Sequence, residues 1–287
     1  MTMAKAAATF ELPSACPPAV DGIRVGFGGW TYVPWRDNFY PKGLVQRREL
    51  EYASRHVSAI EINGTWYGAQ KPATYAKWRD ETPDGFLFSA KAPMRITMSR
   101  TLANTGAQVE AFVGDIAVMG DKLGPIVWQF DPMRRLQHDD FAEFLALLPR
   151  EIDGRRIRHV LDVRVAAFVD AAFLSLARAH GMATVFTDST DYPSFADVTA
   201  DFVYARLMRS RAEVATGYPD AALEQWAGRA RTWARGGRPD DLPYLEAQSA
   251  AAGTQRDVFL YFISSAKERN PAAAMALLRQ LGAITDG

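Results

Sequence analysis

The feature that most constrains this chain is an alternation repeated along its whole length. Short runs of β-branched and aromatic residues are each followed by a longer stretch of mixed polarity. The runs lie at 23–28 (IRVGFG), 57–62 (VSAIEI), 86–90 (FLFSA), 125–130 (PIVWQF), 157–163 (IRHVLDV), 183–187 (ATVFT), 202–207 (FVYARL) and 258–263 (VFLYFI). Each has the length and composition of a strand buried on at least one face. Between them, apolar residues recur at helical spacing over 107–122, 139–148, 171–180, 220–235 and 272–281. Gly181, the Gly236–Gly237 pair and Gly282 stand where helices of this kind stop. Strand then helix, about eight times over, implies parallel strands closed into a single (β/α)₈ TIM-type barrel, with an open doubly wound sheet as the alternative. The stretch 188–201 has little helical pattern, so the sixth crossover is expected to be short. The long link 238–257 has room for a short extra helix.

The chain's 287 residues suit one such barrel. Hydrophobic residues make up 48%, enough for a large core. The first twenty residues (MTMAKAAATFELPSACPPAV) are Pro-broken and lack a compact apolar run, so a disordered arm over 1–20 is expected to precede a barrel domain over 21–287. The lone Cys16 reads as an incidental exposed thiol and points to a reducing, cytoplasmic setting. No apolar stretch is long enough to span a bilayer. Lys plus Arg and Asp plus Glu both number 33, and this balance disfavours a protein that grips nucleic acid through bulk charge.

In a barrel of this kind chemistry is done where strands end at the C-terminal face. Polar residues collect at those positions: Glu61 and Asn63 after the second run, Lys91 after the third, Gln129 in the fourth, Asp162 and Arg164 in the fifth, and Arg206 in the seventh. Side chains alternate along a strand, so Glu61 and Asn63 share the face opposite Ile60 and Ile62. Asp162 and Arg164 likewise oppose Leu161 and Val163. The apolar set suits the helix layer and the polar set should point into the barrel. Charges buried there must be paired. Two acids against three bases make either a structural ion-pair plug or a ligand site with a positive surplus. Trp30, Tyr32, Trp66 and Tyr67 follow the first two runs and are placed to roof the mouth.

Other chemistries find less support. Gly26-Phe27-Gly28-Gly29 begins like a dinucleotide fingerprint, but Thr31 stands where Gly is needed and Trp30 and Tyr32 would obstruct a pyrophosphate. No cofactor is therefore expected. His56, His138, His159 and His180 all fall away from strand C-termini. An all-carboxylate site would use Glu61 and Asp162, with Asp188 as an optional third, and two nearby cationic side chains would oppose a divalent ion there, so no metal is expected.

Several blocks of the sequence resemble the DUF72 family, also called YecE-like proteins. GFGGWTYVPWRDNFYP (26–41) is similar to that family's G-T-S-G-W-x-Y…W…F-Y-P opening. VSAIEINGTWYG (57–68) resembles its E-I-N-x-x-F-Y block, and KWRDETPDGFLFSAKAP (77–93) its W…T-P…F-x-F-x-x-K block. LGPIVWQFDP (123–132) and LDVRV (161–165) resemble L-G-x-x-L-x-Q-x-P and E-x-R. The resemblance implies the same barrel but no assigned reaction, since the family is essentially of unknown function. Its polar positions match Trp30, Glu61, Asn63, Tyr67, Lys91, Gln129, Arg164 and Arg206. The chain departs from the pattern where relatives carry polar groups: Met98 and Met208 replace histidines, Ile263-Ser264 an Asn pair, and Asp162 a longer acid.

The leading expectation is thus a net-positive mouth that binds a small anionic or polyol ligand. Glu61, Lys91 and Asp162 are the candidate acid–base groups, and Trp30, Tyr32, Asn63, Tyr67, Gln129, Arg164 and Arg206 the candidate ligand contacts. Whether the site is catalytic stays open. A non-catalytic protein that binds nucleic acid or a partner, using Arg206, Arg209 and Arg211, is the alternative. A metal-dependent hydrolase or nuclease is a weaker third reading.

Overall fold

The computed structural model describes residues 12–247 and 253–285. Eight parallel strands close into a barrel: β1 (Ile23–Gly28), β2 (Ala59–Ile62), β3 (Leu87–Lys91), β4 (Leu123–Phe130), β5 (His159–Val163), β6 (Ala183–Thr187), β7 (Phe202–Leu207) and β8 (Asp257–Phe262). Each strand pairs with the next in the chain, and β8 closes on β1 with Val258 opposite Ile23 and Phe262 opposite Phe27. All eight expected runs are strands, with ends that shift by one or two residues.

Helices α1 (Glu49–Ala53), α2 (Pro72–Glu81), α3 (Met94–Thr97), α4 (Gly106–Ile116), α5 (His138–Leu147), α6 (Ala171–Ala179), α7 (Asp220–Ala234) and α8 (Asn270–Leu281) join and cover them. The sixth crossover has no helix, as its pattern implied, and none occurs in the described part of 238–257. The helix read over 107–122 stops at Ile116. A 3₁₀ stretch (Ala117–Lys122) follows, because Gly120 adopts a positive φ of 58° that an α-helix cannot hold. No apolar period marks α2, because only Tyr75 of its ten residues is buried. Of the expected N-terminal arm, 1–11 lie outside the described residues. Residues 12–20 have no regular structure, but they are not detached. Pro17 is buried, Val20 bridges to Ile23, and Cys16 is half-buried against the core with Sγ 3.5 Å from the Asp84 carbonyl. Burial pushes the Cys16 thiol pKa up, which opposes the expectation of an exposed thiol.

The core has two parts, separated by the wall of strands. The larger lies between strands and helices and includes Ile60, Ile62, Trp128, Phe130, Leu161 and Leu207. The smaller fills the barrel itself with Ala59, Val127, Val160, Val185, Phe202, Tyr204, Phe259 and Tyr261. The period-two alternation sorts each strand between them, so the residues two places beyond these inner ones, including Glu61, Gln129, Asp162 and Arg206, also face inward. At the N-terminal end the barrel is shut by Arg158, which lies 5.5 Å and 5.6 Å from the Phe202 and Phe259 ring centres and pairs with Asp257 at 2.6 Å.

Gly26 lets β1 and β2 approach: a Cβ there would sit 1.8 Å from the Ala59 carbonyl oxygen. Gly26→Ala is expected to destabilise the protein by about 3 kcal/mol or more, since the clash is with backbone. Gly114, in α4 with open space around its Cα, is the contrast. Gly114→Ala should gain up to about 1 kcal/mol through helix propensity. Urea unfolding of both variants checks the pair.

Candidate functional site at the barrel mouth

The inward face of the strands builds a buried charge network above the aromatic layer. Glu61 is 0% and Arg206 1% exposed. Arg206 Nε donates to Glu61 Oε2 at 2.9 Å, and its Nη1 donates to Gln129 Oε1 at 3.3 Å and to Asp162 Oδ2. Arg206 Nη2 lies 2.8 Å from Glu61 Oε2 but is misaligned for a hydrogen bond, so the contact is purely ionic. Tyr204, two residues earlier on the same face, donates its hydroxyl to Glu61 Oε2 at 2.6 Å. Arg164 Nε donates to Asp162 Oδ2 at 3.1 Å. Tyr261 and Ser89 hydrogen-bond each other at 2.8 Å within the barrel, next to this layer.

The electrostatics follow from burial. Removal from water works against the Arg206 charge, but Glu61 and Asp162 outweigh it and hold the guanidinium protonated with a raised pKa. Burial, then the Glu61 charge, raises the Tyr204 phenol well above its ordinary value. Lys91 is different. Burial and then the Arg206 charge push its ammonium down to about 8, against the weaker pull of Glu61 and Asp162. Its Nζ lies 4.5 Å from the centre of the Trp66 ring, and among the described residues no carboxylate lies within ion-pairing distance.

Above the network is a cavity of about 210 Å³, lined by Gly28, Asn63, Lys91, Gln129, Arg164 and Arg206 from the strands. The loop after β8 and the start of α8 complete it with Ile263, Ser264, Lys267 and Asn270. A Cβ on Gly28 would sit 2.6 Å from Asn63 Nδ2 and 2.9 Å from Ile263 Cδ1, so glycine at this position keeps the cavity open. Lys267 was not foreseen, because it follows the last strand in a loop without pattern. Its Nζ lies 4.5 Å from the Tyr32 ring centre, and burial lowers its pKa. Tyr204, Tyr261 and Ser89 were also missed, although counting two residues back from Arg206, Ile263 and Lys91 along their strands would have found them.

The structure brings together Asn63, Lys91, Gln129, Arg164 and Arg206 around the cavity, with Glu61 and Asp162 beneath them. It separates others. Trp30 packs edge-on against Trp78, 4.9 Å between ring centres, in the helix layer and not over the mouth. Tyr67 is 80% exposed and does not line the cavity. Tyr32 reaches the site only through Lys267. Asp188 is turned away, accepting from the Met208 amide and, at 2.8 Å, from Tyr218 Oη. Of the departures from the family pattern, Ile263 and Ser264 line the mouth and Asp162 lies beneath it. Met98 is solvent-exposed, and Met208 lines a neighbouring depression. That depression, about 780 Å³ between the loops after β6 and β7 and helix α7, is larger but broadly open, and it holds no comparable buried charge network. His159 is buried outside the strands, where Trp128 Nε1 donates to its Nδ1 at 3.0 Å and its Nε2 lies 2.8 Å from the Pro149 carbonyl. Burial lowers its pKa to about 4 and keeps it neutral. No group of three or more His, Cys, Asp or Glu among the described residues is arranged to hold a metal ion. No described helix is long and apolar enough to cross a membrane.

A family model described as "Protein of unknown function DUF72" matches residues 24–286, from the first strand to the last helix. The chain belongs to the DUF72 family. Its curated DUF72 relatives include the UPF0759 protein YecE of Escherichia coli, 28% identical over 144 residues, or 48% of either chain. The UPF0759 protein YunF of Bacillus subtilis is 31% identical over 75 residues, 26% of either chain. These matches thus span about half the length of YecE and a quarter of YunF. A DUF72 family protein from Thermotoga maritima superposes with a TM-score of 0.66 at 15% identity, over 90% of this chain and 96% of that one. One from Enterococcus faecalis gives 0.64 at 14%, over 92% and 97%. At such identities the likeness establishes the shared DUF72 barrel.

Arg206 is the only cation directly bonded to both buried acids among the described residues. Arg206→Met should cost roughly 3–5 kcal/mol by stranding Glu61 and Asp162. Adding Glu61→Gln should recover part of that loss. Chemical denaturation of the single and double variants measures both effects.

Proposed function

We propose that the barrel mouth binds a small ligand that carries a carboxylate or phosphate together with hydroxyl groups. The observation behind this reading is the imbalance around the cavity. Glu61 and Asp162 are both engaged by arginines below its floor, whereas Lys91 and Lys267 line it with no carboxylate of the described residues in ion-pairing range. Two desolvated ammonium groups, with the Arg164 guanidinium beside them, form a pre-set receptor for an anion. Asn63, Gln129, Ser264 and Asn270 offer amides and a hydroxyl suited to a polyol body. The enclosed volume favours a metabolite-sized ligand over a polymer. Arg209 and Arg211, which suggested nucleic acid, line the neighbouring depression, and Arg211 lies 3.6 Å from Glu213.

Calorimetric titration with glycerol 3-phosphate, and with glycerol as the uncharged control, tests the reading. Binding of the phosphate ester alone is expected, with affinity reduced about tenfold or more in Lys267→Ala and in Arg164→Ala. Equal behaviour of the two compounds, or unchanged affinity in both variants, would overturn it. The pH dependence has a defined sign. Lys91 attracts the anion only when protonated, so affinity should be full below its pKa of about 8 and fall as pH rises through it. Lys91→Met should flatten that decline.

A further inference from the structure

We propose that Lys91 is a covalent, imine-forming residue, and that the ligand of the mouth is a short aldehyde or ketone bearing the anionic group. This rests on the reading of the mouth as an anion-binding cavity and adds a bond to it.

A lysine that serves only to neutralise a carboxylate sits against one, but Lys91 does not. Instead its Nζ lies over the Trp66 ring at 4.5 Å and borders a cavity whose other charged walls are positive. The groups whose fields reach it come from every neighbouring element: Glu61 on β2, Asp162 on β5, Arg164 just after β5, and Arg206 on β7. Lys267, after β8, lines the same cavity. Desolvation beside other cations is the general means of making a lysine nucleophilic near neutral pH, and burial and Arg206 push Lys91 in that direction.

The division of labour follows. Arg164 and Lys267 hold the ligand's carboxylate or phosphate, which leaves its carbonyl for Lys91. Imine formation needs a group that takes one proton from the ammonium and later returns it to the departing oxygen. Water in the cavity that Lys91 lines serves as that carrier, while Glu61 stays bonded to Tyr204 and Arg206 beneath. The step balances without a further reagent. The ammonium gives a proton to water in the cavity, and Nζ adds to the carbonyl carbon. The carbinolamine oxygen leaves as water after gaining that proton and one more from nitrogen. The product is a protonated imine with one N–H and a C=N bond. Such an iminium withdraws electrons from the adjacent carbon, the activation that carbon–carbon cleavage and carbonyl migration require.

Borohydride trapping on the full-length protein tests this. Dihydroxyacetone phosphate and pyruvate are the probes, because ketones react slowly with surface lysines. Peptide mass analysis should locate a reduced secondary amine on Lys91, saturating with probe and suppressed by excess glycerol 3-phosphate, and Lys91→Arg should lose it. Glycerol 3-phosphate binding without any Lys91 adduct would overturn the imine and leave the anion site standing. Loss of both would overturn the underlying reading as well. Labelling of Lys91 no faster than the chain's other lysines would also refute the proposal.

Discussion

The site depends on one buried guanidinium. Arg206 reaches across the barrel from β7 to Glu61 on β2 and Asp162 on β5. Its charge could not persist at 1% exposure without those acids, nor theirs without it. The network resembles the ion-pair plug that the sequence also permitted, and in the lower part of the mouth it is one. It accounts for both carboxylates and for Arg206. The same network leaves Lys91 and Lys267 without a carboxylate partner among the described residues. The plug forms a buried floor, and the two ammonium groups line the cavity above it.

That floor also explains why the two amines differ from ordinary surface lysines. Tyr204, Tyr261 and the charge network close the space below, and the Trp66 and Tyr32 rings lie 4.5 Å from the two ammonium groups. Each ammonium keeps a ring face as partial solvation but lacks an anion. A cavity of about 210 Å³ bounded in this way rewards a ligand that brings negative charge with it. Gly28 is part of the same design, since any side chain there would meet Asn63 and Ile263 and occupy the space.

The positions of Glu61, Asn63, Lys91, Gln129, Asp162, Arg164 and Arg206 at the mouth were legible because strand alternation is strictly two-fold and barrel strands end on one face. The aromatics were less legible. Trp30 and Tyr67 lie in loops, where no period ties a residue number to a direction, and they point to the helix layer and to solvent. Lys267 escaped for the same reason. Helix α2 escaped because it buries little, and the helix over 107–122 was read too long because apolar spacing continues past the point where Gly120 breaks the backbone.

The sequence by itself determined the barrel. Eight apolar runs alternating with helical stretches imply parallel strands with helices outside, and the lack of a Gly-rich phosphate loop favoured closure over an open doubly wound sheet. It also determined which strand residues face inward. Tertiary structure alone decided how the inward charges pair: that Arg206 takes both acids, that Arg164 shares one of them, and that Lys91 is left without either. Those choices depend on distances across the barrel between residues as far apart as Glu61 and Arg206, which no local pattern encodes. They also depend on a loop lysine carried to the mouth by the closing of the last strand on the first.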